Sequence, residues 1–162
     1  MTVTRVDKDF DALTLTVVTE FDAPAERVWQ LWADPRQLER WWGPPDYPMT
    51  VLSYDLAPGG MVRYVMTGPD GQESRGWWRI GAVTPPASLE FTDGFADRDG
   101  LPVAGAPTTA IQVRLDARDG VGTRMVVRSV FSSHDHMEQL ARLGAMEIFA
   151  GTIGQMDAVL AG

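Results

Sequence analysis

Residues 108–132 read TTAIQVRLDARDGVGTRMVVRSVFS. Ile111, Val113 and Leu115 alternate with Gln112, Arg114 and Asp116, and Met125, Val127, Ser129 and Phe131 alternate with Arg124, Val126, Arg128 and Val130. A period of two gives a strand one buried face and one wetter face. The Asp119-Gly120 turn signal between the two runs predicts an antiparallel hairpin over 108–118 and 122–132. The same alternation recurs upstream, most clearly in Leu13, Leu15, Val17, Thr19 and Phe21. Turn signals at Pro58-Gly59-Gly60, Gly68-Pro69-Asp70-Gly71 and Thr84-Pro85-Pro86 delimit further runs. In all the pattern predicts strands over 12–21, 48–57, 60–68, 73–83, 87–95, 108–118 and 122–132. Residues 97–107, rich in Gly and Pro, read as a loop.

Helical signals flank these strands. Pro24 suits a first helical position and Glu26 the positive end of the dipole, so a short helix runs through Val28, Trp29 and Trp32. Asp34-Pro35-Arg36-Gln37 opens a second. The longest helix is predicted over about 134–160, capped by Ser132 or Ser133. Its buried stripe comprises Met137, Leu140, Ala141, Gly144, Ile148, Thr152, Ile153, Met156 and Leu160. Gly144, Gly151 and Gly154 within it mark either a bend or close approach, or room left for a ligand. The order is strand, two short helices, six strands, long helix, which predicts an α+β fold: a curved antiparallel sheet of about six or seven strands wrapped around a C-terminal helix.

Composition narrows the function. The chain has 162 residues, 44% hydrophobic and 22% charged, with a formal net charge of −8 and no cysteine. Disorder, disulfides, thiolate chemistry and cysteine-ligated metals are excluded. The negative charge argues against a nucleic-acid surface. No run is long enough to span a membrane, and the N-terminus lacks a secretory pattern; a cytoplasmic protein of one domain, 1–162, is expected. His134 and His136 lie two apart at a helix start and face different ways, so no metal site is assigned. No nucleophile motif or phosphate loop occurs, and no catalytic residue or cofactor is assigned.

Parity picks out a candidate lining. Val62, Tyr64 and Met66 point inward because Arg63 belongs outside. Trp78 and Ile80 point inward because Arg79 shares a face with Trp77, which leaves Trp77 on the outer face. Leu89, Phe91, Asp93 and Phe95 share one direction. Asp93 is then either a polar anchor in a cavity or a group at the strand end by Gly94; the turn reading is preferred. Trp41 and Trp42, before Gly43-Pro44-Pro45, either close one end of the core or gate a pocket. The ligand-binding candidates are Trp32, Tyr54, Tyr64, Met66, Trp78, Phe91, Asp93, Met125, Val127, Ile148 and Met156.

Five segments in series carry a resemblance: FDAPAERVWQLWADPRQLERWWGPP (21–45), DLAPGGMVRYVMTGPDG (55–71), GWWRIGAVTPPASLEFTDGF (76–95), GVGTRMVVRSVF (120–131) and GAMEIFAGTIGQMDAVLAG (144–162). Over about 10–161 the chain resembles the START-like (SRPBCC, helix-grip) superfamily. More narrowly, it resembles the bacterial group named after the heat-shock-protein-90 ATPase activator. The resemblance implies a helix-grip fold with a cavity between sheet and C-terminal helix, and superfamily members that bind hydrophobic molecules. Ile148 and Phe149 stand where relatives often have a small residue followed by Met or Leu, which should shrink one end of the cavity. The function expected is binding of a small hydrophobic or aromatic ligand, lipid-like or polyketide-like, without catalysis. One alternative is a protein-interaction module of the chaperone-activator kind, with an apolar patch around Trp77, Val126 and Val130 and a chaperone partner. A second is a cyclase or hydratase using cavity polar groups. A homodimer through the outer sheet face stands beside these.

Overall fold

A computed structural model of the chain describes residues 2–118, 120 and 122–162. The alternation in 108–132 forms β7 (Thr109–Ala117) and β8 (Thr123–Phe131), paired antiparallel with Val113 opposite Val127. The Asp119-Gly120 turn signal lies partly outside the described residues. The other strands are β1 (Thr2–Asp9), β2 (Thr14–Phe21), β3 (Met49–Tyr54), β4 (Met61–Thr67), β5 (Glu73–Thr84) and β6 (Ser88–Ala96). All eight join one antiparallel sheet in the order β1-β2-β8-β7-β6-β5-β4-β3. Between β2 and β3 the chain crosses the inner face as α1 (Ala25–Ala33) and α2 (Pro35–Leu38).

The sheet has eight strands among the described residues, not six or seven, and the strand that parity misses is β1. Val3 and Val6 are three apart, so they break the period of two. A bulge between Val3 and Arg5 restores the register: Val3 opposes Thr19 and Val6 opposes Val17, both on the inner face of β2.

The C-terminal segment also differs from the single helix expected over 134–160. It forms α3 (His134–Arg142), α4 (Ala145–Gly154) and α5 (Met156–Ala161). Ser133 is the cap, its hydroxyl accepting from the His136 amide. Gly144, at φ 70°, breaks the helix and is the bend that one reading of the glycines required. Gly151 and Gly154 approach nothing: a Cβ there would meet no atom within 4 Å. Gly151 faces solvent, so it makes no room inside. Ile148, placed on the buried stripe by spacing, is 53% exposed, because the break at Gly144 rotates α4 relative to α3.

The aromatic residues fill much of the concave face. Trp32 packs edge-on to Trp41 with ring centres 4.6 Å apart, and Trp42 does the same to Trp78 at 4.9 Å. Phe91 stacks on Trp78 at 4.0 Å. The Trp41 indole N–H donates to the Leu31 carbonyl, and Gln155 Nε2 donates to the carbonyls of Trp41 and Gly43, tying the C-terminal segment to the tryptophan pair. On the outer face Trp77 lies over Gly94, its cross-strand neighbour, and donates to the Phe95 carbonyl. Trp77 is thus buried, and Val126 and Val130 are half-buried, so the exposed apolar patch expected there is absent. Among the described residues no helix is long and apolar enough to cross a membrane.

The helical glycines separate cleanly by geometry. Gly151→Ala, in an open helix interior, should stabilise the fold by about 0.5–1 kcal/mol. Gly144→Ala, forced into the left-handed region, should destabilise it by about 1 kcal/mol or more. Urea unfolding of both variants checks the pair; a similar sign for both would contradict the geometry.

Candidate functional site

The tryptophans leave the concave face unfilled toward α3 and α4. A cavity of about 230 Å³ lies there. Its floor is sheet, including Asp93, Phe95, Ile111 and Phe131, and its roof is helix, including Leu140, Met146 and Phe149. An outer chamber of about 390 Å³ continues past Tyr64, Met66, Arg75 and Ile148. Trp42, Asp93, Gly94, Phe95, Ala145 and Phe149 border both. The Phe149 ring meets Trp42 edge-on at 5.9 Å, so the two narrow the passage between the chambers.

Asp93 reaches this place by parity, sharing the inner face of β6 with Leu89 and Phe91. Its partner comes from two strands away. Tyr64 on β4 opposes Gly76 on β5, and a Cβ at Gly76 would lie 2.3 Å from the Tyr64 ring and hydroxyl. The glycine lets the phenol lean across β5, where its O–H donates to Asp93 Oδ1 at 2.6 Å. A lone glycine inside a predicted strand is the sequence signal for such a close approach. Asp93 is therefore the inward anchor and not a group capping the turn.

The surroundings set the charge. Desolvation raises the Asp93 carboxyl to about 7, against the smaller opposing effects of the Tyr64 hydrogen bond and the Trp78 indole N–H. That indole N–H is directed at the carboxyl but falls outside hydrogen-bond geometry and is left without a partner. Burial, the nearby carboxylate and its hydrogen bond all push the Tyr64 phenol upward. Burial lowers His136, which faces the inner chamber and packs edge-on against Phe131 at 5.8 Å. His134, Asp135 and Glu138 are exposed and bring ligand atoms within 4.8 Å of one another, while His136 turns away.

The candidates named from sequence divide in two. Asp93, Tyr64, Met66 and Ile148 border the cleft. Trp32, Trp78, Phe91, Met125, Val127 and Met156 are buried in the packed core. Parity placed the four strand residues among them on the inner face, but the inner face there is filled by indole rings. Tyr54 is also removed from the cleft; its hydroxyl donates to the Trp32 carbonyl, and burial pushes its phenol up. Phe95 shares the direction that parity gave Asp93, and Trp42 is the member of the 41–42 pair that borders the cleft; Phe149 and Met146, whose place depends on how the broken helix sits, are the lining residues the pattern could not single out.

A family model described as Activator of Hsp90 ATPase homolog 1-like protein matches residues 22–161. The chain belongs to this family. A solution structure of a protein from Arthrobacter aurescens is 47% identical, with a TM-score of 0.93, over 99% of this chain and 92% of that one. A crystal structure of a protein from Mycobacterium smegmatis is 46% identical, with a TM-score of 0.87, over 98% of this chain and 97% of that one. The AHSA1 protein of Silicibacter pomeroyi shares the fold at 20% identity and a TM-score of 0.64, over 87% and 97%. No match was found among curated proteins. Membership accounts for the helix-grip arrangement of curved sheet and C-terminal helix.

Because Asp93 titrates near 7 folded and near 3.8 when free, its protonated form supports the fold. That support is complete below about pH 4 and is lost as pH rises through 7. Asp93→Asn should therefore raise the melting temperature at pH 8 and change it little at pH 4. Thermal melts at the two pH values check this; equal destabilisation at both would contradict it. Gly76→Ala should push Tyr64 off Asp93 and destabilise the fold by about 1–3 kcal/mol. A crystal structure of that variant should show the phenol swung away from the carboxyl; a phenol still hydrogen-bonded to Asp93 would contradict the role given to the glycine.

Proposed function

We propose that this protein binds a small, mostly apolar ligand in the cleft between the sheet and α3–α4. The observation that carries the reading is the cleft itself: an apolar concavity with one desolvated polar pair, Tyr64–Asp93, at its floor. Ligand sites combine these two features, apolar walls for affinity and few polar groups for orientation. Burying ligand surface against Phe95, Phe131, Met146 and Phe149 contributes about 25 cal/mol per Å² before the costs of association. The inner chamber falls below the roughly 300 Å³ of a drug-sized site, which favours a small ring system over a long lipid chain. The broad superfamily habit of holding hydrophobic molecules between sheet and helix supports the same reading.

A thermal-shift screen of small aromatic and alicyclic compounds tests it. A binder at a hundredfold its dissociation constant adds about 2.7 kcal/mol of stability. The expected result is a saturable shift that Ala145→Leu, which adds bulk where the two chambers meet, abolishes without unfolding the protein. A flat screen on folded protein would contradict the reading.

A further inference from the structure

Once ionised, the Asp93 carboxyl is a negative charge without a cation. Its hydrogen bond comes from a neutral phenol, and the indole N–H beside it is also neutral. No Lys, Arg or His contributes to its electrostatic environment among the described residues. Arg75 borders only the outer chamber, where it is held by Glu73 at 3.2 Å. The one titratable group facing the inner chamber from α3 is His136, which burial keeps neutral near pH 7. The α4, β7 and β8 residues that line the inner chamber are uncharged. A desolvated carboxylate is costly unless a cation pairs with it.

The walls around this carboxylate suit a cation that is also aromatic or apolar. Trp42, Phe95 and Phe149 border the same space as Asp93. Ring faces attract an ammonium through their quadrupole, tryptophan most strongly, and more so where water is excluded. Oδ1 accepts from Tyr64, which leaves Oδ2 for a donor in the cleft. We propose that the inner chamber takes a small arylalkylamine, its ammonium paired with Asp93 and its ring held among Trp42, Phe95 and Phe149. The proposal rests on the ligand-binding reading above and names the class of ligand.

Two probes of matching shape separate the proposal from that reading: 1-naphthylmethylamine and 1-naphthylmethanol. Their affinities are measured by calorimetry at about 0.15 M salt, which screens the protein's net negative charge. The expected result at pH 8.5 is that the amine binds about tenfold or more tightly than the alcohol, equivalent to about 1.4 kcal/mol. That preference should collapse in Asp93→Asn, which preserves an acceptor for Tyr64, and in the wild type as pH falls to about 5.5. Protonation of His136 acts in the same direction, so the asparagine variant, which keeps His136, assigns the part that belongs to Asp93. Equal binding of both probes, with no effect of Asp93→Asn, would leave the ligand-binding reading standing and overturn the amine. An alcohol preference that weakens with rising pH would also overturn it, pointing to a protonated Asp93 donating to an oxygen. A preference for the amine that survives in Asp93→Asn would do the same. Binding of neither probe to folded protein would count against both readings.

Discussion

Four indole rings decide where this protein has room. Trp32, Trp41, Trp42 and Trp78 interlock edge to face on the concave side of the sheet, with Phe91 stacked beneath. Edge-to-face aromatic pairs contribute about 0.5–1.5 kcal/mol each beyond their burial, and this cluster places several in contact. A curved sheet of eight strands offers more apolar surface than a broken helix can cover. The tryptophans cover one part, α3 and α4 roof the other, and the cleft is what lies between. The same rings desolvate Asp93, since Trp78 stands opposite it across the β5–β6 ladder. Packing and electrostatics at the site thus have one origin.

Glycines serve this arrangement where side chains must cross strands. Gly76 lets Tyr64 reach over β5 on the inner face, and Gly94 lets Trp77 lie over β6 on the outer face. The two occupy neighbouring ladder positions, so one short patch of β5 and β6 carries an aromatic ring flat on each side. Covering a strand glycine with a cross-strand aromatic ring is a recurrent way of pinning register. Here it also delivers a hydroxyl to a carboxyl two strands away. Alanine at either position would exchange a specific contact for a clash.

Much of the fold is legible in the residue pattern because the sheet is two-sided. Alternation locates seven of the strands within a few residues, and Arg63 and Arg79 fix which way Tyr64 and Trp78 point. What alternation cannot carry is a change of phase: the bulge in β1 hides that strand, and the left-handed Gly144 turns Ile148 outward. The site is less legible for a related reason. Parity says that Met125, Val127 and Trp78 face inward, but not that indoles from α1 and the 41–42 pair fill the space above them. Asp93 illustrates the limit most sharply. Its inward direction follows from Phe91, yet an inward carboxyl is acceptable only with a partner, and the partner's reach depends on Gly76, twelve residues further along the chain from Tyr64.

The most direct measurement is the Asp93 titration, followed by carboxyl-carbon NMR with Asp93→Asn for assignment. Desolvation of the carboxyl beside Trp78 predicts a midpoint raised to about 7. A midpoint near the ordinary aspartate value of about 4 would mean that water reaches the carboxyl freely, and that the Tyr64–Asp93 pair is not the desolvated pair described.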